Sequence, residues 1–285
     1  MMGKTISLLG LGWLGLPLAK TFLEKGFIVK GSVTTTEKLK EFTDSKIDLS
    51  VVKLHDNYIE FSNENFFKTD ILFINFPPKR VDGIELLYPN QVSQLLPFIN
   101  RYGIKWVLFI SSTSVYNETN GVVTEDDELS PEKSSGRACL NAENILRRSN
   151  AFDTTIIRFG GLIGADRNPH RFMKRGVKNG PGKKQVNLIH LDDCIGIITH
   201  IVDCNFRNGT INACCPVHPT REAFYTAAAK AAHVEAPQFE NTSAYNFKLI
   251  SSSKLTDQLG YRFKYKNPLD YLQDYEQGNY NSVRE

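Results

Sequence analysis

Thr5-Ile6-Ser7-Leu8-Leu9-Gly10-Leu11-Gly12-Trp13-Leu14-Gly15 decides the fold of this chain. Thr5 to Leu9 is an apolar run with the length of a buried strand. It stops at Gly10. From Trp13 to Lys25 the apolar residues Leu14, Leu18, Phe22 and Leu23 then recur near helical spacing. A strand, a G-x-G-x-x-G turn and a helix form the unit that binds a dinucleotide, NAD(P) above all. In that unit Gly10 permits the tight turn, Gly12 lets backbone approach a pyrophosphate, and Gly15 lets the helix lie close on the strand. The helix N-terminus presents free N–H groups to the phosphates. The bland alternative is an ordinary glycine-rich strand-to-helix turn; the flanking elements favour the cofactor. Pro17 has no N–H to donate, which only the first helical positions tolerate, so the helix is expected to start late or kink there.

The pattern continues outward. Phe27 to Val33, Leu49 to Leu54, Asp70 to Phe76, Lys105 to Ser111 and Thr154 to Phe159 read as further strands. Thr36 to Phe42 reads as a threonine-capped helix. Ile84 to Tyr102 reads as helix, bent or divided by Pro89 and Pro97. Alternating strands and helices imply an α/β fold, a Rossmann doubly wound parallel sheet, with a smaller C-terminal substrate lobe. The division expected is 1–165 for the nucleotide-binding domain and 166–285 for the lobe, with a segment near 187–210 returning to the first domain. Such sheets bind ligands beyond the carboxyl ends of their strands. The expected cofactor residues are therefore Gly10, Gly12, Trp13, Leu14, Gly15, Thr34, Thr35, Asn75, Phe76, Pro77 and Ser111.

NAD usually meets an acidic residue where the second strand ends. Here that end reads Gly31-Ser32-Val33-Thr34-Thr35-Thr36, and no acid appears before Glu37. Hydroxyls, a helix start and Lys38 suit a 2′-phosphate, a slight lean to NADP, although no arginine clamps the position. The threonines also serve simply as helix caps.

Composition narrows the class. Of the 285 residues, 41% are hydrophobic and 23% charged, as in a soluble globular protein, and a net charge of +3 does not select nucleic acid or an anionic membrane. Five cysteines, two of them adjacent and none in a C-x-x-C, suggest neither a disulfide framework nor a zinc site. A reduced, cytoplasmic setting fits. The leucines after Lys4 resemble a signal peptide, but Gly10, Gly12, Gly15 and Pro17 interrupt them at dinucleotide spacing. No apolar run reaches the length of a membrane span.

Phe109-Ile110-Ser111-Ser112-Thr113-Ser114-Val115-Tyr116, taken with the glycine turn, resembles the extended short-chain dehydrogenase/reductases, the NAD-dependent epimerases and dehydratases acting on nucleotide-sugars. Arg158 to Gly164, Asn187 to Asp193, and Lys254 to Tyr261 resemble later segments of that family, so the likeness covers nearly the whole chain. The resemblance implies a catalytic serine or threonine after the fifth strand, which Ser112 matches, and a Tyr-x-x-x-Lys on the next helix. That helix reads Pro131-Glu132-Lys133-Ser134-Ser135-Gly136-Arg137-Ala138-Cys139. Ser135 stands at the tyrosine position and Cys139 at the lysine position, a pattern like the atypical, YeeZ-like branch. A serine hydroxyl is too weak an acid to replace a tuned phenol unaided, and a neutral thiol carries no ammonium charge.

Other groups are candidates for what is missing. Tyr116 lies near Ser112 in sequence, although its position is usually structural. His190 titrates near neutral pH, or is a buried structural histidine. Asp192 and Asp193 are expected to cap a helix starting at Cys194. Thr113, Arg137, Arg171, Lys174 and His190 are candidate substrate residues. The last two cations belong to a basic stretch, Arg167 to Lys184, that suits an anionic substrate such as a nucleotide-sugar or forms a solvated face. Two functions remain open: an atypical NAD(P)-dependent oxidoreductase or epimerase, as monomer or homodimer, and a non-catalytic NAD(P) sensor. No metal and no nucleic acid is expected.

Overall fold

A computed structural model of the chain describes residues 3–42, 46–164, 167 and 180–276. Chain contacts divide it into two units. The first runs to Tyr116 and adds Leu129–Arg158 and Ile201–Thr210; the second holds Asn117–Glu128, Phe159–His200 and Ile211–Glu285.

The first unit is built on parallel strands. β1 (Thr5–Leu9) pairs in parallel with β2 (Ile28–Val33) and β5 (Ile71–Ile74). β3 (Asp48–Leu54) pairs in parallel with β2, and β6 (Trp106–Ser112) with β5. β8 (Asp153–Phe159) and β11 (Gly209–Ala213) complete a sheet ordered β11-β8-β6-β5-β1-β2-β3-β4. The order reverses between β5 and β2, around β1, which places the switch point at the glycine turn.

β4 (Ile59–Phe61) is an addition to the expected strands. It folds back antiparallel on β3, with Lys53 opposite Glu60. Its three residues are too few to show a period in sequence. The buried strand residues are apolar because helices cover the sheet. Leu9, Leu72, Ile74, Val107 and Phe109 pack with Tyr88, Val92, Ala138, Ala142 and Leu146 of α3 (Ile84–Ser93) and α5 (Ser134–Arg147).

The prolines act as their chemistry requires. α1 (Gly15–Glu24) starts at Gly15, so Pro17 is its third residue and its missing N–H costs nothing. Pro97 lies in the first turn of α4 (Leu96–Arg101) and divides the helical stretch, while Pro89 sits inside α3. Thr35 caps α2 (Thr36–Leu39) by accepting from the Lys38 N–H.

In the second unit β9 (Gly161–Ile163) pairs in parallel with β10 (Leu188–His190). β7 (Gly121–Val123) pairs in parallel with β12 (Lys248–Ile250), which carries 117–128 into this unit, where a boundary at 165 leaves it in the first. α6 (Leu191–Asp203) follows β10 directly. α7 (Arg221–Ala231) packs with α8 (Pro268–Glu276) around Phe224, Ala228, Tyr271 and Leu272. Among the described residues no helix is long and apolar enough to cross a membrane, and no group of His, Cys, Asp or Glu could hold a metal ion.

Candidate functional site

The three glycines of the turn do different work. Gly10 has φ +110°, open to glycine and strained for other residues. Its N–H donates to Ser32 Oγ at 3.0 Å, and the Leu11 N–H donates to the Ser32 carbonyl at 2.8 Å, which ties the turn to the end of β2. A Cβ on Gly15 would lie 2.0 Å from the Gly10 carbonyl oxygen, so this glycine sets the closeness of α1 to the turn. A Cβ on Gly12 would meet nothing within 4 Å. Gly12 therefore has no packing reason to be glycine, and its exposed backbone faces open space.

That space is a cavity of about 690 Å³. Gly10, Gly12, Thr34, Thr35, Asn75, Phe76 and Pro77 line it, so seven of the residues expected from sequence come together. Lys38, Lys53, His55, Asp56 and Lys79 join them. Of these, Lys38 alone is a candidate by sequence; the other four lie at or just beyond the ends of β3 and β5. The hydroxyls and lysines suit an anionic ligand, and Phe76, Leu54 and Leu87 supply apolar wall.

Other residues expected to hold the cofactor or to act in catalysis do not line the cavity. Leu14 is buried in the core and does not line the cavity, nor does Trp13. Ser111 is buried and donates to Glu143 Oε1 at 2.5 Å. Tyr116 is 3% exposed, and its hydroxyl accepts from Arg158 Nη1 at 2.6 Å while the guanidinium lies 4.9 Å from its ring centre. Arg158 also donates twice to Glu143, Nε to Oε1 at 3.0 Å and Nη2 to Oε2 at 2.6 Å. Nothing local in the sequence points to this buried Glu143–Arg158 pair, which joins α5 to β8. Tyr116 is thus a structural partner of a buried cation, not a free acid.

The helix that should complete the site is chemically quiet. Ser135 is exposed in the first turn of α5. Cys139 is buried, and burial, with Glu143 close by, pushes its thiol up to about 12. At neutral pH it is neither nucleophile nor cation. Gly136, between them, packs against the Ser114 carbonyl, where a Cβ would come within 2.4 Å. Ser112 Oγ accepts from the Ser114 N–H at 3.1 Å, which leaves its own proton available, and Thr113 beside it is buried. Arg137 is exposed on α5; it donates to the Glu132 carbonyl at 2.5 Å and lies 3.7 Å from Glu85.

In the second unit His190 is fully buried, which removes it as a substrate contact. Its Nδ1 accepts from the Asp192 N–H at 3.1 Å, and its ring packs on Tyr265 and Tyr271 at 4.5 and 4.4 Å. Burial pushes the imidazole down to about 4. Asp192 and Asp193 do not cap a helix at Cys194, because α6 already begins at Leu191. Asp193 is buried and clamps the distant backbone instead, accepting from the N–H groups of Lys264 and Tyr265 at 2.7 and 3.0 Å and from the Tyr261 hydroxyl at 3.0 Å. Burial raises its carboxyl pKa. Arg171 and Lys174 lie outside the described residues.

A parallel sheet with its switch point at a glycine turn, and an exposed glycine facing a largely apolar cavity with hydroxyls and lysines at its wall, define a Rossmann dinucleotide-binding protein. The NAD(P)H-binding family model matches residues 10–187, and the chain belongs to that family. It is 33% identical over 269 residues to Protein YeeZ of Escherichia coli K12, covering 93% of this chain and 98% of that one, in keeping with an atypical member of the epimerase and short-chain dehydrogenase group. Among solved structures it resembles UDP-glucuronic acid 4-epimerase from Bacillus cereus in complex with NAD, with TM-score 0.76 and 18% identity over 97% of this chain and 100% of the other. MoeE5 in complex with UDP-glucose and NAD gives TM-score 0.75 and 16% identity over 97% and 99%. Those two likenesses establish the fold.

Proposed function

We propose that this chain holds NAD(P) on the Gly10–Gly15 turn and works as an atypical oxidoreductase or epimerase on a small hydroxyl- or carbonyl-bearing molecule, a nucleotide-sugar in the first instance. The observation that carries the reading is Gly12, which faces a cavity of about 690 Å³ with no side-chain neighbour to explain it. Gly12 and the first turn of α1 would take the pyrophosphate. Thr34, Thr35 and Lys38 would take the adenosine ribose and favour a 2′-phosphate, hence NADP over NAD. Asn75, Phe76 and Pro77 would flank the ligand on the other side. The bound dinucleotide supplies a hydride donor or acceptor. Ser112, with its oxygen occupied by the Ser114 N–H, would donate a hydrogen bond to a substrate oxygen and orient it, keeping its own proton. The substrate class rests on the sugar-nucleotides bound by the structural neighbours. The free cysteines, four of them buried, accord with a reducing cytoplasmic setting. The chain acts as monomer or homodimer.

One observation favours a second reading, a non-catalytic sensor of NAD(P): Cys139 is neutral and buried where the resemblance puts a lysine. Turnover on a panel of sugar-nucleotides and carbonyl compounds separates the two. Wild-type turnover that falls in Ser112→Ala supports the enzyme. Activity confined to the Ser135→Tyr, Cys139→Lys variant supports the sensor.

A further inference from the structure

The cofactor cavity carries more positive charge than a glycine turn requires. Lys38, Lys53 and Lys79 line it, and among the described residues that line it Asp56 is the one acid. The sheet order β5-β1-β2-β3 sorts these lysines by flank. Lys38 lies in α2, past the end of β2, on the side where a ribose 2′ position falls. Lys53 is on β3 and shares its charge with Glu60, its cross-strand partner.

Lys79 is on the opposite flank. β5 runs beside β1 in register, Leu9 with Ile74. The Asn75 N–H donates to the Leu9 carbonyl at 3.2 Å, and Asn75 Nδ2 donates to the Gly10 carbonyl at 3.4 Å. The loop that carries Lys79 thus leaves from beside the phosphate-facing turn. Pro77 and Pro78 stiffen its start, because their rings fix φ. Lys79 is exposed and, among the described residues, makes no ion pair of its own.

We propose that Lys79 is a pyrophosphate-binding cation that serves NAD and NADP alike, leaving discrimination between them to the β2 side. This rests on the reading that Gly12 faces the pyrophosphate. On the β5 side of the turn the pyrophosphate is the anionic part of either dinucleotide, since the 2′-phosphate belongs to the β2 side. Turn N–H groups supply only partial charges, whereas an ammonium supplies a full one. The site gains that cation from the β5 loop although α5 offers none at Cys139.

Titration of the full chain with NADH and with NADPH, read by nicotinamide fluorescence, tests this. Lys79→Ala is expected to weaken both by about tenfold, the scale of one charge-assisted contact. Lys79→Arg keeps most of the affinity, Arg80→Ala leaves it unchanged, and Lys38→Ala weakens NADPH alone. Thermal melting of Lys79→Ala matches wild type, because the side chain is exposed. Unchanged affinity for both cofactors in Lys79→Ala, or a loss confined to NADPH, overturns the assignment while leaving cofactor binding intact. Failure of the wild-type chain to bind either cofactor overturns both.

Discussion

Alanine at each of the three turn glycines should separate fold from ligand binding. Gly15→Ala places a methyl 2.0 Å from the Gly10 carbonyl oxygen, where real contacts stay beyond 3.0 Å. The backbone must move by about an ångström in a packed turn, a cost of about 3 kcal/mol. The melting midpoint should fall by roughly 6–9 °C. Gly10→Ala has space for its methyl but must hold φ +110°, a strain of about 1–3 kcal/mol. Gly12→Ala meets nothing and has no positive φ, so its stability should match wild type or rise by about 0.4–1 kcal/mol through a less flexible unfolded chain. Its methyl stands where a pyrophosphate would approach, so affinity for NAD(P) should drop by about 100-fold, roughly 3 kcal/mol. Differential scanning fluorimetry without ligand and a cofactor titration supply the two axes. A well-folded Gly12→Ala that binds like wild type would refute the role given to that glycine. A Gly15→Ala that melts like wild type would refute the packing argument.

Three more outcomes are expected. Arg158→Met leaves the buried Glu143 with the partly exposed Arg147, 3.4 Å away, as its remaining cation and should cost about 3 kcal/mol in chemical denaturation, with much of it recovered when Glu143→Leu is added. His190 has its folded pKa held below its unfolded value of 6.5, at about 4, so the unfolded chain takes up the proton first as pH falls. Stability should therefore be intact above pH 6.5 and decline between 6.5 and 4 by about 3 kcal/mol from this group; His190→Asn should flatten that part of a pH–stability curve. Iodoacetamide at pH 8 should label Cys204, the exposed thiol, well before Cys139, whose thiol is buried and pushed up to about 12; rapid native labelling of Cys139 in mass spectra would contradict its neutral state.

The part of the candidate site around the glycine turn was legible because local rules govern it. Strand length, glycine spacing and helical period are all short-range, so Gly10, Gly12, Thr34, Thr35 and Asn75 could be placed before any contact was known. Even the late start of α1 follows from Pro17 alone. What the sequence hid depends on distant partners. Asp193 looks like a helix cap by its neighbours, yet it is spent on N–H groups about seventy residues further on. His190 looks titratable until Tyr265 and Tyr271 enclose it. Tyr116 looks free until Arg158, from β8, takes its oxygen. β7 and β12 are three-residue strands joined across the chain, and neither has a period to read. The resemblance located Ser135 and Cys139, but only burial showed that Cys139 cannot act as a charged group at neutral pH.

Dinucleotide binding itself is tested most directly by a thermal-shift titration of the wild-type chain with NADPH and NADH. Ligand bound to the native state alone raises stability by about 2.7 kcal/mol at 100 times Kd. The midpoint should rise saturably with both cofactors, by roughly 5–8 °C at that excess, and at lower concentrations of NADPH than of NADH. No shift with either cofactor at millimolar concentration would contradict the assignment of the Gly10–Gly15 turn.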